Sequence, residues 1–380
     1  MATSPRIEWA GGQMPVLRSI RARFAAERPL EGVRVGACLH VTAETANLVL
    51  TLRDGGAEVA LCAANPYTAQ ADVAEALGDG VHVGDYAKGL AAVAAWGPQL
   101  VLDDGAELIA ATHASLRGAT EETRSGLVHV RSLELGCPVL AVNESAAERA
   151  LNDRFGTGQS ALDGIVRATH MLLAGQTIVV LGYGWTGRGI ALRARGAGAS
   201  VIVCEVDPLR ALEARMEGFE VLTALAAAER GDVFITVTGN RDVLRAEHFA
   251  RMKDGAVLAN AGHFDVEIAL PDLGEERAQV LPLVEEYRQP DGRRLNLLAR
   301  GQVVNLAAAE GHPAGVMDVS FALQALSMEW LAREGAPPGV QPVPPAIDAE
   351  VARLKLEALG VAIDALTPDQ EAYLERWRGA

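Results

Sequence analysis

Three glycines in one short run carry the clearest chemical signal. The stretch Val179-Val180-Leu181-Gly182-Tyr183-Gly184-Trp185-Thr186-Gly187-Arg188-Gly189 spaces Gly182, Gly184 and Gly187 as GxGxxG. It follows an apolar run that reads as a buried strand, and it opens a helical stretch. In that setting the first glycine permits a tight turn and the second lets the backbone approach a pyrophosphate. The third lets helix pack on strand. The pyrophosphate would sit at the positive helix N-terminus, beside Trp185 and Thr186. The next strand ends at Glu205, close to the spacing of about 20 residues expected for the acid that holds a ribose diol. A carboxylate there repels a 2′-phosphate, so the loop is expected to take NAD rather than NADP.

Histidines and acids recur in short motifs elsewhere. They are Cys38-Leu39-His40-Val41-Thr42-Ala43-Glu44-Thr45, Leu102-Asp103-Asp104-Gly105, Thr120-Glu121-Glu122-Thr123 and Ala141-Val142-Asn143-Glu144-Ser145 in the first half, then Gly262-His263-Phe264-Asp265-Val266-Glu267-Ile268 and Gly311-His312-Pro313. Such groups can move protons when burial or a neighbour brings their pKa toward neutrality. Taken singly, Asp104 reads equally as an acid in a βα turn and Glu122 as a helix-cap acid. His312 reads as a loop histidine and Met317 as a core methionine. Ser-His-Asp, HExxH and P-loop arrangements are absent. Cys38, Cys62, Cys137 and Cys204 form no CxxC and no ligand-like spacing with histidine, so no metal is expected.

The elements that must position these groups alternate. An amphipathic helix is predicted over 14–27. Short β-rich runs follow at 33–38, 58–62, 100–102, 128–130 and 139–141, separated by Ala/Leu-rich helical stretches. A helical stretch at 160–173 leads into a strand at 177–181, and further strands are predicted at 201–204, 233–237, 256–259 and 279–283. Residues 321–334 read as a helix, the Pro-rich piece 336–345 as a linker, and 349–359 as a last helix. Alternation of this kind implies an α/β protein with mostly parallel sheets and ligands at the strand C-termini. We expect two parallel-sheet, Rossmann-like domains: a substrate domain of 1–155 plus 315–342 and an NAD-binding domain of 156–314. Residues 343–380 would form a short C-terminal helical extension.

A length of 380 residues suits two domains, and 49% hydrophobic with 22% charged residues is an ordinary globular balance. The formal net charge of −15 disfavours a phosphate-backbone partner, so no nucleic acid is expected. Nor is a membrane partner, because no apolar run approaches the roughly 20 residues needed to span a bilayer. Scattered cysteines and the lack of an apolar signal core point to the cytoplasm. Only Lys88, Lys253 and Lys355 supply side-chain amines, which limits any mechanism that needs one.

Together with the glycine loop, these motifs resemble the S-adenosylhomocysteine hydrolase (adenosylhomocysteinase) family, in its order and over most of the chain. The resemblance implies an NAD-dependent enzyme acting on an adenosine-like nucleoside. In that chemistry the 3′-hydroxyl is transiently oxidised, the C4′ proton becomes acidic, the 5′ substituent leaves, water adds, and the 3′-hydroxyl is restored. By motif, Asp104 is the base near C4′ or its partner. His40 and His263 flank the 5′ position, with His263-Phe264 at a gate over the channel. Glu122 lies near the 2′ and 3′ hydroxyls. Thr42 and Glu44 contact the adenine edge, with His312 and Met317 on the opposite wall. Thr123, Ser125, Asp153, Thr238, Asn240, Gly262 and Asn305 fall at NAD-contact positions. The family precedent also implies a homo-oligomer, a dimer or a tetramer.

The resemblance breaks at the sugar. The family's catalytic lysine aligns with Glu148, and its ribose-binding aspartate with Asn152. An amine replaced by a carboxylate reverses the local charge, so the site would titrate differently or bind a different ribose. The family's Ser-Thr-Gln-Asp appears as Thr68-Ala69-Gln70-Ala71, and its C-terminal tail, which clamps a neighbour's NAD, is missing. Three readings follow. The first is 3′-oxidation and 4′,5′-elimination on an adenosine-type nucleoside, as a dehydratase forming a 4′,5′-didehydro nucleoside. The second is S-adenosylhomocysteine hydrolysis to adenosine and homocysteine. The third is a silent NAD-binding regulatory homologue.

Overall fold

The computed structural model describes residues 4–378. The first strands are β1 (Arg34–Leu39), β2 (Glu58–Ala63), β3 (Val81–His82), β4 (Leu100–Asp103), β5 (Gly118–Glu121) and β6 (Pro138–Ala141). Next come β7 (Thr177–Leu181), β8 (Ser200–Cys204), β9 (Glu220–Val221), β10 (Val233–Thr236), β11 (Ala256–Asn260), β12 (Arg277–Leu281), β13 (Val284–Arg288) and β14 (Arg294–Leu298). β15 (Gly339–Pro342) closes the series.

One sheet runs β15-β6-β5-β4-β1-β2-β3 and is parallel throughout. The other runs β12-β13-β14-β11-β10-β7-β8-β9, parallel except where β13 runs against β12 and β14. Helices cover both faces of each sheet, which is why the central strands are apolar at nearly every position. In β7, Ile178 and Val180 enter one core and Val179 and Leu181 the other. In β1, Val35, Ala37 and Leu39 face one core and Cys38 faces the opposite one.

Each sheet reverses its strand order once, between β1 and β4 and between β7 and β10. A crevice opens at the strand C-termini where that happens. β1 and β4 deliver His40 and Asp104 to the first crevice. β7 delivers the glycine loop and β10 delivers Thr238 to the second. The chain passes from sheet to sheet through Glu148–Thr157, wound as a π-helix, and directly on into the α-helix Gly158–Thr169. The wider π turn brings residues four and five positions apart onto one face.

Several expected elements differ. Residues 128–130 are not a strand: they end the helix Arg124–Val130, whose start is capped by Thr123 accepting from the Gly126 amide. The strand of that unit is β5 instead. The supposed linker contains β15, whose parallel pairing with β6 places its proline on an edge, where a missing N–H is tolerated. The helix expected from 321 starts at Ala314 and runs to Arg333, while the one expected at 160–173 spans Gly158–Thr169 and stops where His170 turns left-handed. The run near 279–283 is two strands of a hairpin, β12 and β13. After β15, the helix Pro345–Ala358 lays Ile347 and Val351 into the first sheet's core.

Candidate active site

Two histidines from different sheets meet at one carboxylate. His40 follows β1, Asp104 follows β4, and these strands are hydrogen-bonded neighbours. The Asp104 amide donates to the Cys38 carbonyl at 3.0 Å, which fixes the turn. His40 Nε2 lies 3.5 Å from Asp104 Oδ2, and His263 Nδ1, in the loop after β11, lies 3.8 Å from Asp104 Oδ1. That Oδ1 is buried and has no hydrogen-bond partner. His40 Nδ1 is 2.6 Å from Thr68 Oγ1, while the Thr68 hydroxyl donates to the Asn65 carbonyl at 2.9 Å. With that proton committed, His40 Nδ1–H is the donor to Thr68, and Nε2 is the ring nitrogen left to face Asp104. Burial pushes the His40 imidazole down, against the pull of Asp104. Phe264 meets His263 edge to face at 4.5 Å.

The second cluster is acidic. Glu122, just past β5, accepts from Ser320 Oγ at 2.6 Å and from Gln324 Nε2 at 3.0 Å. Both donors sit four apart on the helix Ala314–Arg333, hence on one face. Burial, then the Asp104 charge, pushes the Glu122 carboxyl up to about 7. Glu148 is 1% exposed; its Oε1 accepts from Asn152 Nδ2, and its Oε2 is buried without a partner. Burial, then Glu122 and Asp153, holds the Glu148 carboxyl well above its usual range. Asp153 is pushed up to about 7 by burial, against Arg149 and Arg124. Asn152 Nδ2 also lies 3.9 Å from the sulfur of Met317.

Thr42 caps the helix Ala43–Asp54, accepting from the Thr45 amide at 3.4 Å, and Glu44 sits in its first turn. Glu44 and His312 line a cavity of about 320 Å³ with Arg6, Gln70 and Glu310. Burial pushes the Glu44 carboxyl up. His312 Nε2 is 2.8 Å from Thr157 Oγ1, and burial takes its imidazole down to about 4.

The residues expected to hold the dinucleotide gather around the second crevice. Gly182 has φ of +106°, and a Cβ on Gly187 would stand 2.0 Å from the Gly182 carbonyl oxygen, so only glycine closes this turn. Trp185 and Thr186 begin the helix Trp185–Gly196, with Gly184 at its cap. Glu205 directly follows β8 and accepts from the Tyr183 amide of the loop at 2.6 Å, which ties the acid to the glycine turn. The Thr238 hydroxyl donates to Glu267 at 2.9 Å and accepts from the Asn240 amide at 3.0 Å. Gly262 N donates to Asn260 at 2.8 Å. Asn305 is buried with its Oδ1 unpartnered, open to a ligand amide. These groups fit NAD. Thr123 and Ser125 lie instead on the first sheet's side: Thr123 donates its hydroxyl to Glu121 at 2.6 Å, and Ser125 donates to Thr123 at 3.4 Å.

Sequence reasoning assigned no role to Thr68, Ser320, Gln324, Glu121 or Glu267. The last is 1% exposed and accepts from the Thr238 and Gly239 amides. Ser320 and Gln324 carried a usable signal, since polar residues four apart inside a largely apolar, buried helix need partners.

Residues 153–311 match the family described as S-adenosyl-L-homocysteine hydrolase, NAD binding domain, and residues 3–115 match S-adenosyl-L-homocysteine hydrolase. A protein of Methanopyrus kandleri named S-inosyl-L-homocysteine hydrolase is 52% identical, covering 98% of this chain and 94% of that protein. An adenosylhomocysteinase of Aquifex aeolicus is likewise 52% identical, covering 98% and 95%. One of Pyrococcus abyssi is 48% identical, covering 98% and 94%. With a dinucleotide site that fits NAD and relatives matched along nearly its whole length, the chain belongs to the S-adenosyl-L-homocysteine hydrolase family of NAD-dependent enzymes.

Proposed function

We propose that the chain hydrolyses the thioether of an S-nucleosyl-homocysteine, with adenosine the favoured nucleoside. The observation that carries this is the meeting of His40 and His263 at Asp104, both within 4 Å of one carboxylate. Gly182, Gly184, Gly187, Glu205 and Asn305 would hold NAD, which would supply reversible oxidation at C3′ and so acidify the C4′ proton. Asp104 Oδ1, buried and unpartnered, is placed to take that proton. His40 Nε2, with Nδ1–H held by Thr68, gives its proton to the leaving sulfur and takes one back from the water that replaces it. His263 and Phe264 close the other side and keep bulk water from the reacting carbon. Glu122, fixed by Ser320 and Gln324, accepts from a sugar hydroxyl. Thr42, Glu44, His312 and Met317 flank the base, where an ionised Glu44 accepts from the exocyclic amine of adenine.

Two relatives named for homocysteine thioethers support hydrolysis over water loss to a didehydro nucleoside. Purified protein assayed for bound NAD, then incubated separately with S-adenosylhomocysteine, S-inosylhomocysteine and free nucleosides under mass spectrometry, tests this. Homocysteine release is the expected result. A nucleoside that loses one water while both thioethers stay intact overturns it. Faster release from the inosyl thioether overturns the preference for adenine alone.

A further inference from the structure

Buried acceptors without donors mark a place where a ligand must give protons. Glu148 Oε2 and Asn152 Oδ1 are both in this state, on residues 1% and 3% exposed, one π-helical turn apart. An unpartnered buried acceptor carries its full desolvation cost until a donor arrives. No local side chain makes a hydrogen bond to Glu148 Oε2, although the Ser320 hydroxyl is near enough to bear on that carboxyl. Asn152 Nδ2 is spent on Glu148 Oε1, while Ser320 and Gln324 are committed to Glu122. The lysines are engaged elsewhere: Lys88 with Asp85, Lys253 with Asp232 and Lys355 with Asp318. No lysine amine can therefore serve this end of the site.

We infer that Glu148 is the group that takes the proton of the sugar 3′-hydroxyl during oxidation and returns it in the closing reduction, with Asn152 Oδ1 orienting the adjacent hydroxyl. The inference rests on the 3′-oxidation reading above. The step balances without further reactants. The C3′ hydrogen leaves with its electron pair to the oxidised nicotinamide. The O3′–H bond breaks, its pair forms the C3′=O bond, and the proton binds Glu148 Oε2. The last step of the cycle runs this backward.

The surroundings suit the task. A carboxylate is ordinarily too weak a base for an alcohol, and a carboxyl that holds its proton more tightly matches it better. The charged groups acting on Glu148 are Glu122, from the end of β5, and Asp153 on its own helix. Those on other packed elements are neutralised: Glu144 by Arg131 and Arg149, Arg188 by Glu217, and Asp318 by Lys355.

Glu148→Gln keeps the size and an acceptor for Asn152 but cannot take a proton. NAD-containing protein is mixed with nucleoside, and reduced nicotinamide is followed by absorbance across pH within a single turnover. In wild-type protein the rate should rise with pH as the carboxyl ionises. In the variant it should fall about 100-fold and lose that limb. Bound NAD per chain and affinity for a 3′-deoxynucleoside should stay within about three-fold of wild type. A ready-made 3′-keto nucleoside should still exchange its C4′ hydrogen with deuterium oxide at the wild-type rate. Glu148→Asp, a carboxyl one methylene back, should recover about ten-fold of the loss and the pH limb. A Gln variant that reduces nicotinamide as fast as wild type, with the same pH limb, overturns the inference. So does one that fails equally with the 3′-keto compound, because Glu148 would then serve the fold or a later step. Wild-type protein that reduces no nicotinamide with any nucleoside overturns the oxidation reading itself, and with it the inference.

Discussion

The two ends of the sugar site shift their protonation in opposite directions. Around His40, His263 and Asp104, imidazoles meet a carboxylate, and burial pushes His40 down from its ordinary value. Around Glu122, Glu148 and Asp153, acids gather with Arg149 and Arg124 near Asp153 alone, and burial pushes Glu122 and Asp153 up to about 7. Desolvation penalises the charged form in both cases, so it drives bases and acids toward one another. Burial thus favours the neutral form of His40 at one end and of Glu122 at the other, with no lysine amine at either. Changes that put a fixed charge into one end should damage that end and spare the other.

The sharpest break comes at the shared carboxylate. Asp104→Asn should lower thioether turnover about 1000-fold, since the amide can neither take the C4′ proton nor hold the histidines as a charge. NAD bound to the purified variant should be unchanged, because Asp104 lies on the other sheet. Turnover above about a tenth of wild type would end its proposed role. At the acidic end, Asn152→Asp sets a carboxylate against Glu148 Oε1, where the amide now donates. Unfolding free energy at pH 8 should fall by about 2–3 kcal/mol, the cost of an uncompensated buried charge beside another. Adding Glu148→Lys should restore at least half of it, because the new ammonium then faces the introduced carboxylate, with Glu122 beside it. Purely additive losses in the double-mutant cycle would mean that the two positions do not touch in function or in fold.

Proton linkage separates the two ends more gently. Glu122 has its folded pKa raised to about 7, so its stabilising contribution is complete below the unfolded value and fades as pH rises from about 4.5 through 7. His312 works the other way. Its folded pKa is lowered to about 4, so its contribution is complete above about 6.5 and fades as pH falls toward 4. Glu122→Gln, which keeps partners for Ser320 and Gln324, should gain about 2 kcal/mol on wild type between pH 5 and pH 8. Urea unfolding of the NAD-loaded proteins measures this. A difference that stays flat across that range would mean that Glu122 ionises freely.

Much of this arrangement was legible in the sequence, and the parts that were not share a cause. β7 and the glycine loop could be placed because a buried parallel strand and a tight turn leave local marks, an apolar run and fixed glycines. β5 left none. Gly118-Ala119-Thr120-Glu121 is a strand because it lies between β4 and β6, with Gly118 needed where Leu331 packs: a Cβ there would stand 2.7 Å from Leu331 Cδ2. The expected strand at 128–130 lost to Thr123, whose cap starts a helix. Glu148 and Asn152 were singled out, but the π winding that aims them at Glu122 has no sequence mark. Nor could the sequence say that Ser320 and Gln324 reach Glu122 from some 200 residues away. Local chemistry could be read, whereas long-range partners could not.

The smallest effect should come from Thr68, which touches neither end of the reaction and only sets one of its bases. Thr68→Val removes the acceptor of the His40 Nδ1–H while nearly keeping the shape. The Asn65 carbonyl does not lose its last donor, since it also accepts from the Thr68 amide at 3.2 Å. The cost should therefore be catalytic rather than structural. Without its acceptor the imidazolium loses a charge-assisted hydrogen bond, so the His40 pKa should drop further and the acidic limb of kcat/KM should move to lower pH. The ring also loses its fixed tautomer, and kcat should fall about five- to ten-fold, the worth of about 1 kcal/mol. Thr68→Ser, which keeps the hydroxyl, should restore both. A valine variant with wild-type kcat and an unmoved acidic limb would mean that His40 is aimed by Asp104 alone, and that the histidine end needs no more support than the carboxylate it shares.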